Sequence, residues 1–309
     1  MESLVNKIID SDFNQFISLL PEINSIRVKH KGNNIKLCSI INAKSGKCPE
    51  NCAFCAQSKH HHTDIHVFPL LKPVEILDRA KLMEEKGAHR FSIVTSGTAI
   101  KSKKDKSSIL KSVELITEKT SLKCCASLGI IDDDFFKDLK KAGLNAYHHN
   151  LETSESFFSN ICSTHDYQDD VDTVKRAKDN GLYVCSCGIF GLGENWEHRI
   201  ELSNTLKELN VDSIPINFLT PIKGTILESA QFITPLECLK IVALFRVLHQ
   251  DKDIRICGGR EFNLGDLQAF LIPSGANGLM IGNYLTTKGR QIEDDLKMIK
   301  EMGLQFSEL

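Results

Sequence analysis

The chain has 309 residues, 41% hydrophobic and 25% charged, a globular composition long enough for one large domain or two small ones. Its formal net charge of -2 provides no global field to draw in nucleic acid or an anionic membrane. No apolar run approaches the roughly 20 residues that span a bilayer, and the opening MESLVNKIIDSDF lacks the apolar core and cleavage site of a secretory signal.

A cytoplasmic location is therefore expected, with no nucleic-acid or membrane partner. In that reducing compartment 11 cysteines point to metal or redox chemistry rather than disulfides.

In chain order, residues 1–34 read as a helical extension. Strand-like segments follow at 35–41, 90–95, 122–127, 146–151, 182–190, 213–219, 254–257 and 278–281. Amphipathic stretches lie between most of them. One opens at Pro73, keeps Ile76, Leu77, Ala80 and Met83 on one face, and stops at Gly87. Another opens at Pro235 and repeats Leu236, Leu239, Val242, Leu244 and Phe245 at helical period. Residues 286–309 read as a helical tail. The basic run at 101–106 is expected to be a solvated loop.

Alternating strands and helices imply a parallel sheet with right-handed crossovers. Eight strands fit a closed α/β barrel of the (β/α)8 TIM type better than an open doubly wound sheet. The whole chain is then one domain with its barrel at 35–285. Such barrels carry their chemistry at the C-terminal ends of the strands.

The strongest local signal is Cys48-Pro-Glu-Asn-Cys52-Ala-Phe-Cys55, just after the first strand. Its C-x3-C-x2-C spacing lets one loop wrap three thiolates around a metal corner. A four-iron cluster ordinarily takes four cysteines, so three leave one iron open to a small chelator. Zinc is the competing metal, but structural zinc prefers four ligands, usually on paired C-x2-C arms. Three incidental buried thiols are the bland alternative.

This spacing at the head of a strand–helix alternation is similar to the radical S-adenosylmethionine superfamily, and the string CPENCAFCAQS resembles the biotin synthase family. The resemblance implies a [4Fe–4S] cluster on Cys48, Cys52 and Cys55 that binds S-adenosylmethionine and cleaves it to a 5′-deoxyadenosyl radical. It implies cofactor contacts from Phe54 at the adenine, Ser96-Gly97 at the amino group, Glu152 at the ribose, and Gly191 and Gly193 near the adenine. It implies dethiobiotin as substrate, held by Asn150 of the His149-Asn150-Leu151-Glu152-Thr153-Ser154 stretch and by Asn217. Sulfur would come from an auxiliary cluster deeper in the barrel, with Cys125, Cys185 and Arg260 of Gly258-Gly259-Arg260-Glu261 among its ligands. Two hydrogen abstractions would spend two cofactor molecules. A flavodoxin- or ferredoxin-type donor and a homodimer are also implied.

The chain departs from the family pattern at the auxiliary ligands. Ser92 stands where a cysteine is expected, and serine is a poor ligand for soft iron–sulfur chemistry. New cysteines lie nearby. Cys187 is two residues past Cys185, so the two-residue strand period puts both on the same face, and Cys257 precedes Arg260. The expected set is therefore Cys125, Cys185, Cys187 and Cys257, with Cys124 a substitute, holding a four-iron cluster in preference to [2Fe–2S]. His148 replaces a substrate-binding Asn of the family. Asp170 stands where an Arg would pair with the cofactor's carboxylate, so another cation must serve there.

Cys38, Cys162 and Cys238 read as core or surface thiols, Trp196 as packing, and His60, His61, His62 and His66 as a polar surface tract. Two other functions remain open. One is a sister radical enzyme without sulfur insertion, of the hydrogenase-cluster maturase or methylornithine synthase kind. The other is a non-enzymatic zinc or iron sensor.

Overall fold

The structure is a computed structural model that describes residues 2–306. Nine parallel strands run β1 (Lys36–Lys44), β2 (Arg90–Thr95), β3 (Lys123–Ser127), β4 (Ala146–His148), β5 (Tyr183–Cys185), β6 (Ile189–Phe190), β7 (Ser213–Phe218), β8 (Asp253–Ile256) and β9 (Gly278–Met280). Their order in the sheet is β5-β4-β3-β2-β1-β9-β8-β7-β6, and a β5–β7 pairing closes the ring. β5 and β6 are two halves of one interrupted strand, since both pair with β7. The result is an eight-position (β/α)8 barrel, with the expected strand at 182–190 broken at residues 186–188.

The helices form where the apolar period and the caps agree. The helix Pro73–Glu85 has Pro at its first turn and buries Ile76, Leu77, Ala80 and Met83. Gly87 then takes φ +88°, a left-handed turn that glycine adopts without strain. The helix Pro235–Leu248 is capped by Thr234, whose side chain accepts from the Glu237 amide. Its residues from Cys238 to Val247 are all buried, far more than one amphipathic face. The N-terminal helices Glu2–Asp10 and Phe13–Lys31 pack on its outer side, and Lys240 Nζ donates to the Ile9 carbonyl at 2.9 Å.

One large apolar core lies between the barrel and its helices. The barrel interior is different. Instead of the branched aliphatic layers usual in such barrels, it buries Arg90, Ser92, Cys125, Cys185, Ser213, Asp253, Arg255 and Cys257.

Asp253 anchors the floor. It receives Lys31 Nζ at 3.1 Å, Lys36 Nζ at 2.9 Å, the Tyr183 hydroxyl at 2.7 Å and Asn277 Nδ2 at 2.9 Å. Burial alone would raise its pKa, but the charges of Arg255, Lys31 and Lys36 outweigh that and hold it far below the ordinary carboxylate range.

Candidate active site

A cavity of about 450 Å3 opens at the C-terminal ends of the strands. One wall is the loop after β1. Lys47, with φ +55°, and Gly46, with φ +76°, turn the chain sharply there. Gly46 N then donates to Gln57 Oε1 at 3.1 Å and Cys48 N to the Gln57 carbonyl at 2.9 Å, closing the loop on itself. The Ala53 amide donates to Ile161 and the Leu227 amide donates to Ala53, which fastens the loop to two neighbouring segments. His60 and His61 bond the Pro49 and Cys55 carbonyls, so this pair of the His tract braces the loop.

Cys48, Cys52 and Cys55 are all partly exposed and line the cavity, whereas the other eight cysteines are buried. Three reachable soft donors on one rigid loop fit an iron–sulfur cluster with one open corner. Phe54 lies on the same wall.

Across the cavity, Ser96 and Gly97 follow β2. Ser96 Oγ donates to the Gly46 carbonyl at 2.7 Å, and Gly97 has φ +110°. Glu152 follows β4 in a left-handed conformation, φ +64°, and lines the opposite side, half-buried. Asn150 Nδ2 donates to its Oε2 at 3.3 Å. Gly188 makes this fit, because a Cβ there would sit 2.1 Å from the Glu152 carbonyl. Burial, with Asp170 nearby, pushes the Glu152 carboxyl up to about 8. Asn217 on β7 accepts from Gly258 N at 3.0 Å and faces the cavity with His148 and Asn150. His148 Nε2 is buried there without a partner.

Gly191 and Gly193 do not line the cavity. Their turn folds onto Glu194, whose carboxylate accepts from the Gly191 and Leu192 amides and pairs with Arg199 at 2.8 Å. Among the described residues, Asp170 pairs with no lysine or arginine. It bridges His149 Nε2 at 2.8 Å and His165 Nε2 at 3.2 Å, and His165 Nδ1 lies 3.0 Å from Glu50 Oε2. Hydrogen bonds to Asp170 and Cys162 raise His165 to about 11.

Two family models match the chain: Radical SAM superfamily over residues 43–206, and Biotin and Thiamin Synthesis associated domain over residues 215–305. The chain is 54% identical to the biotin synthase of Geobacter metallireducens over 273 residues, covering 88% of this chain and 83% of that protein. It is 49% identical to the biotin synthase of Geobacter sulfurreducens, covering 98% and 96%. The chain belongs to the biotin synthase family. In fold it is similar to methylornithine synthase, with a TM-score of 0.87 at 18% identity over 100% of this chain and 94% of that one. It is also similar to the hydrogenase maturase HydG from Carboxydothermus hydrogenoformans, with a TM-score of 0.84 at 16% identity over 98% and 75%.

Membership of the biotin synthase family implies an auxiliary cluster, and the barrel interior below the cavity can be compared with the ligands expected for it. Three sequence expectations need correction. Arg260 does not point into the barrel. It follows β8 in the short helix Arg260–Leu264, and its guanidinium is taken by Asp295, Gln268 and the Met280 carbonyl. The arginine of this segment on the interior face is Arg255, two residues inside β8. Its Nε donates to Ser213 Oγ at 3.1 Å, while Nη1 and Nη2 are buried without hydrogen-bond partners.

Cys187 does not share the face of Cys185. β5 ends at Cys185, so the two-residue period stops, and Cys187 packs in the outer apolar core. Cys124 packs there too, leaving Cys125 on the face of its register partner Ser92.

Cys38, expected to be a solitary core thiol, packs with Cys257 and Met280 in a small cluster separate from the main core. Cys38 Sγ donates to the Leu279 carbonyl at 3.7 Å, and the neighbouring Cys257 thiol lowers the Cys38 pKa. The charges of Arg255 and Cys38 reach Cys185. Cys38 and Arg255 were legible in principle, since Cys38–Ile40–Asn42 and Asp253–Arg255–Cys257 each alternate on one strand face.

Proposed function

We propose that the chain is a biotin synthase, inserting sulfur into dethiobiotin to form biotin. The observation that carries this reading is a second set of buried thiols, Cys38, Cys185 and Cys257 with Arg255, directly beneath a cavity walled by the Cys48/Cys52/Cys55 loop. The sister radical enzymes share the barrel but have no need of a sulfur-donor chamber.

When bound, the first cluster with S-adenosylmethionine supplies a 5′-deoxyadenosyl radical, and the auxiliary cluster supplies the sulfur. The chain's residues do the placing. Cys48, Cys52 and Cys55 would hold the first cluster and leave one iron for the cofactor. Phe54 covers the adenine, Ser96 and Gly97 receive the amino group, and Glu152 accepts from the ribose hydroxyls.

His148, Asn150 and Asn217 orient the substrate's ureido ring between the clusters. Cys38, Cys185 and Cys257 would hold the auxiliary cluster, with Cys125 and Arg255 at its margin. Four thiolates suit a four-iron or a [2Fe–2S] cluster alike; the rebuilt ligand set, with Ser92 where a cysteine is expected, is what favours the four-iron type. Arg255, whose Nη1 has no hydrogen-bond partner and whose Nη2 has only the Asp253 carboxylate at 3.6 Å, and the unbonded Ser92 Oγ fit a polar occupant of that chamber. The enzyme is read as a cytoplasmic homodimer, reduced by a flavodoxin- or ferredoxin-type donor.

The test is anaerobic incubation of reconstituted protein with dethiobiotin, S-adenosylmethionine and a low-potential reductant, with mass detection of products. Biotin together with 5′-deoxyadenosine is expected. 5′-Deoxyadenosine without biotin would return the chain to the sister enzymes, and neither product would defeat the radical reading.

A further inference from the structure

Beside the cluster loop lies a group of donors that neither cluster uses. Glu50 sits within the loop, between Cys48 and Cys52. Cys162 and His165 come from the segment after the short helix Glu155–Phe158. The Glu50 carboxylate, the Cys162 thiol and a His165 ring nitrogen all lie within 4.8 Å of one another. Cys162 Sγ is 3.3 Å from His165 Nδ1, and that nitrogen is 3.0 Å from Glu50 Oε2. Donors about 2.0–2.3 Å from one tetrahedral ion are separated by roughly 3.3–3.7 Å. The two contacts are near those edges.

We propose that Glu50, Cys162 and His165 form a mononuclear site for a divalent, borderline-soft cation of the zinc type. Mixed sulfur, nitrogen and oxygen donors are the set such an ion takes.

The surroundings are built for the same purpose. His165 Nε2 is oriented by Asp170 Oδ2 at 3.2 Å, the carboxylate–histidine arrangement that aims the other ring nitrogen at a metal. The second Asp170 oxygen is fixed by His149 at 2.8 Å. Glu50 is held by the hydroxyls of Thr98 and Thr164. Cys162 also lies 3.5 Å from Asn51 Oδ1.

Charge points the same way. Glu50, Asp170 and Cys162 converge on two histidines, and among the described residues lining the cavity there is no lysine or arginine. A divalent ion would offset that surplus and displace the proton that His165 shares with its neighbours.

Glu50 and His165 both line the cavity, so the fourth coordination position opens towards it. Water or a carboxylate-bearing ligand would complete the tetrahedron there. Cys52 Sγ lies 3.8 Å from Cys162 Sγ, but it belongs to the cluster loop. The metal would clip that loop to residues 162–165. The inference rests on these three donors and stands apart from the assignment of either cluster.

The test uses full-length, cluster-loaded protein kept from oxygen, given one equivalent of zinc sulfate and passed over a desalting column. Zinc and iron are counted by mass spectrometry, and the zinc K-edge absorption spectrum is recorded. The native chain should keep one zinc. Its shell should hold one sulfur near about 2.3 Å and nitrogen or oxygen near about 2.0–2.2 Å.

Cys162→Ser and His165→Gln should weaken retention at least about tenfold with iron content unchanged. Asp170→Asn, which removes no ligand, should weaken it by about 10- to 100-fold. If either ligand variant loses iron, the Asp170→Asn result and the native spectrum decide. Failure of the native chain to keep zinc would overturn the proposal. So would equal retention in all variants, or a shell of two or more sulfurs, which places zinc on the cluster cysteines.

Discussion

Arg260 and Asp295 form a two-point ion pair, Nη1 to Oδ1 at 2.9 Å and Nη2 to Oδ2 at 2.5 Å, with both side chains closed off from solvent. The pair ties the segment after β8 to the C-terminal helix Ile292–Glu301. Removing one partner of a buried pair strands the other charge and costs about 3–5 kcal/mol. Arg260→Met should therefore lower the urea midpoint sharply while the folded fraction keeps its full iron content. Arg255→Met should do the reverse, changing the auxiliary cluster's spectrum with a smaller loss of stability. An Arg260 variant with normal stability and altered auxiliary iron would reinstate the sequence expectation.

The thiols separate in the same way. Cys38→Ala and Cys257→Ala should each cut reconstituted iron by up to about half, the share of one of two four-iron clusters. Cys187→Ala and Cys124→Ala remove side chains from the apolar core. They should leave iron unchanged and lower stability by about 1–3 kcal/mol. Iron analysis with parallel urea titration checks all four, and equal iron loss from Cys187→Ala would contradict the placement.

Glu152 gives the ligand-free chain a pH dependence of known sign. Its folded pKa, about 8, lies above the ordinary carboxylate value of 4.5, so the folded state holds a proton that the unfolded state has released. The stability from that proton is complete below about pH 4.5 and is lost as pH rises through about 8. Glu152→Gln keeps the neutral form at all pH values. Above pH 8 the variant should be the more stable chain by roughly a few kcal/mol, as read from urea midpoints between pH 5 and 9. Parallel curves for the two chains would refute this.

Asp253 has the opposite sign. Its depressed pKa contributes stability above the unfolded value near about 3.9, and that contribution is lost as pH falls below it. Asp253→Asn leaves Arg255, Lys31 and Lys36 without their shared anion. The variant should lose about 3–5 kcal/mol at pH 7 and show a flatter acid limb in a denaturation series.

Much of this protein was written locally. The Cys48/Cys52/Cys55 spacing needs only one loop, and the strand–helix rhythm implied the barrel. The helix from Pro73 was readable because Pro, the apolar period and Gly87 agreed. The helix from Pro235 was readable as a helix, but its burial on all sides was not, since the covering comes from the N-terminal helices.

The auxiliary chamber was less legible. Alternation along a strand tells which face a residue occupies, but the level it reaches inside the barrel depends on register. Cys38 pairs with Met280 across β1 and β9, and Arg255 with Gly278 across β8 and β9. Those registers bring Cys38, Arg255 and Cys257 together. The break after β5 turned Cys187 away, and Asp295, from the far C-terminal helix, claimed Arg260.

The sequence alone determined the barrel, the three-cysteine loop and the class of chemistry, because each is carried by short-range spacing and period. Only the closed tertiary structure decided which thiols and which arginine share the interior. Ring closure sets strand register, and register is a property of the whole sheet rather than of any one segment.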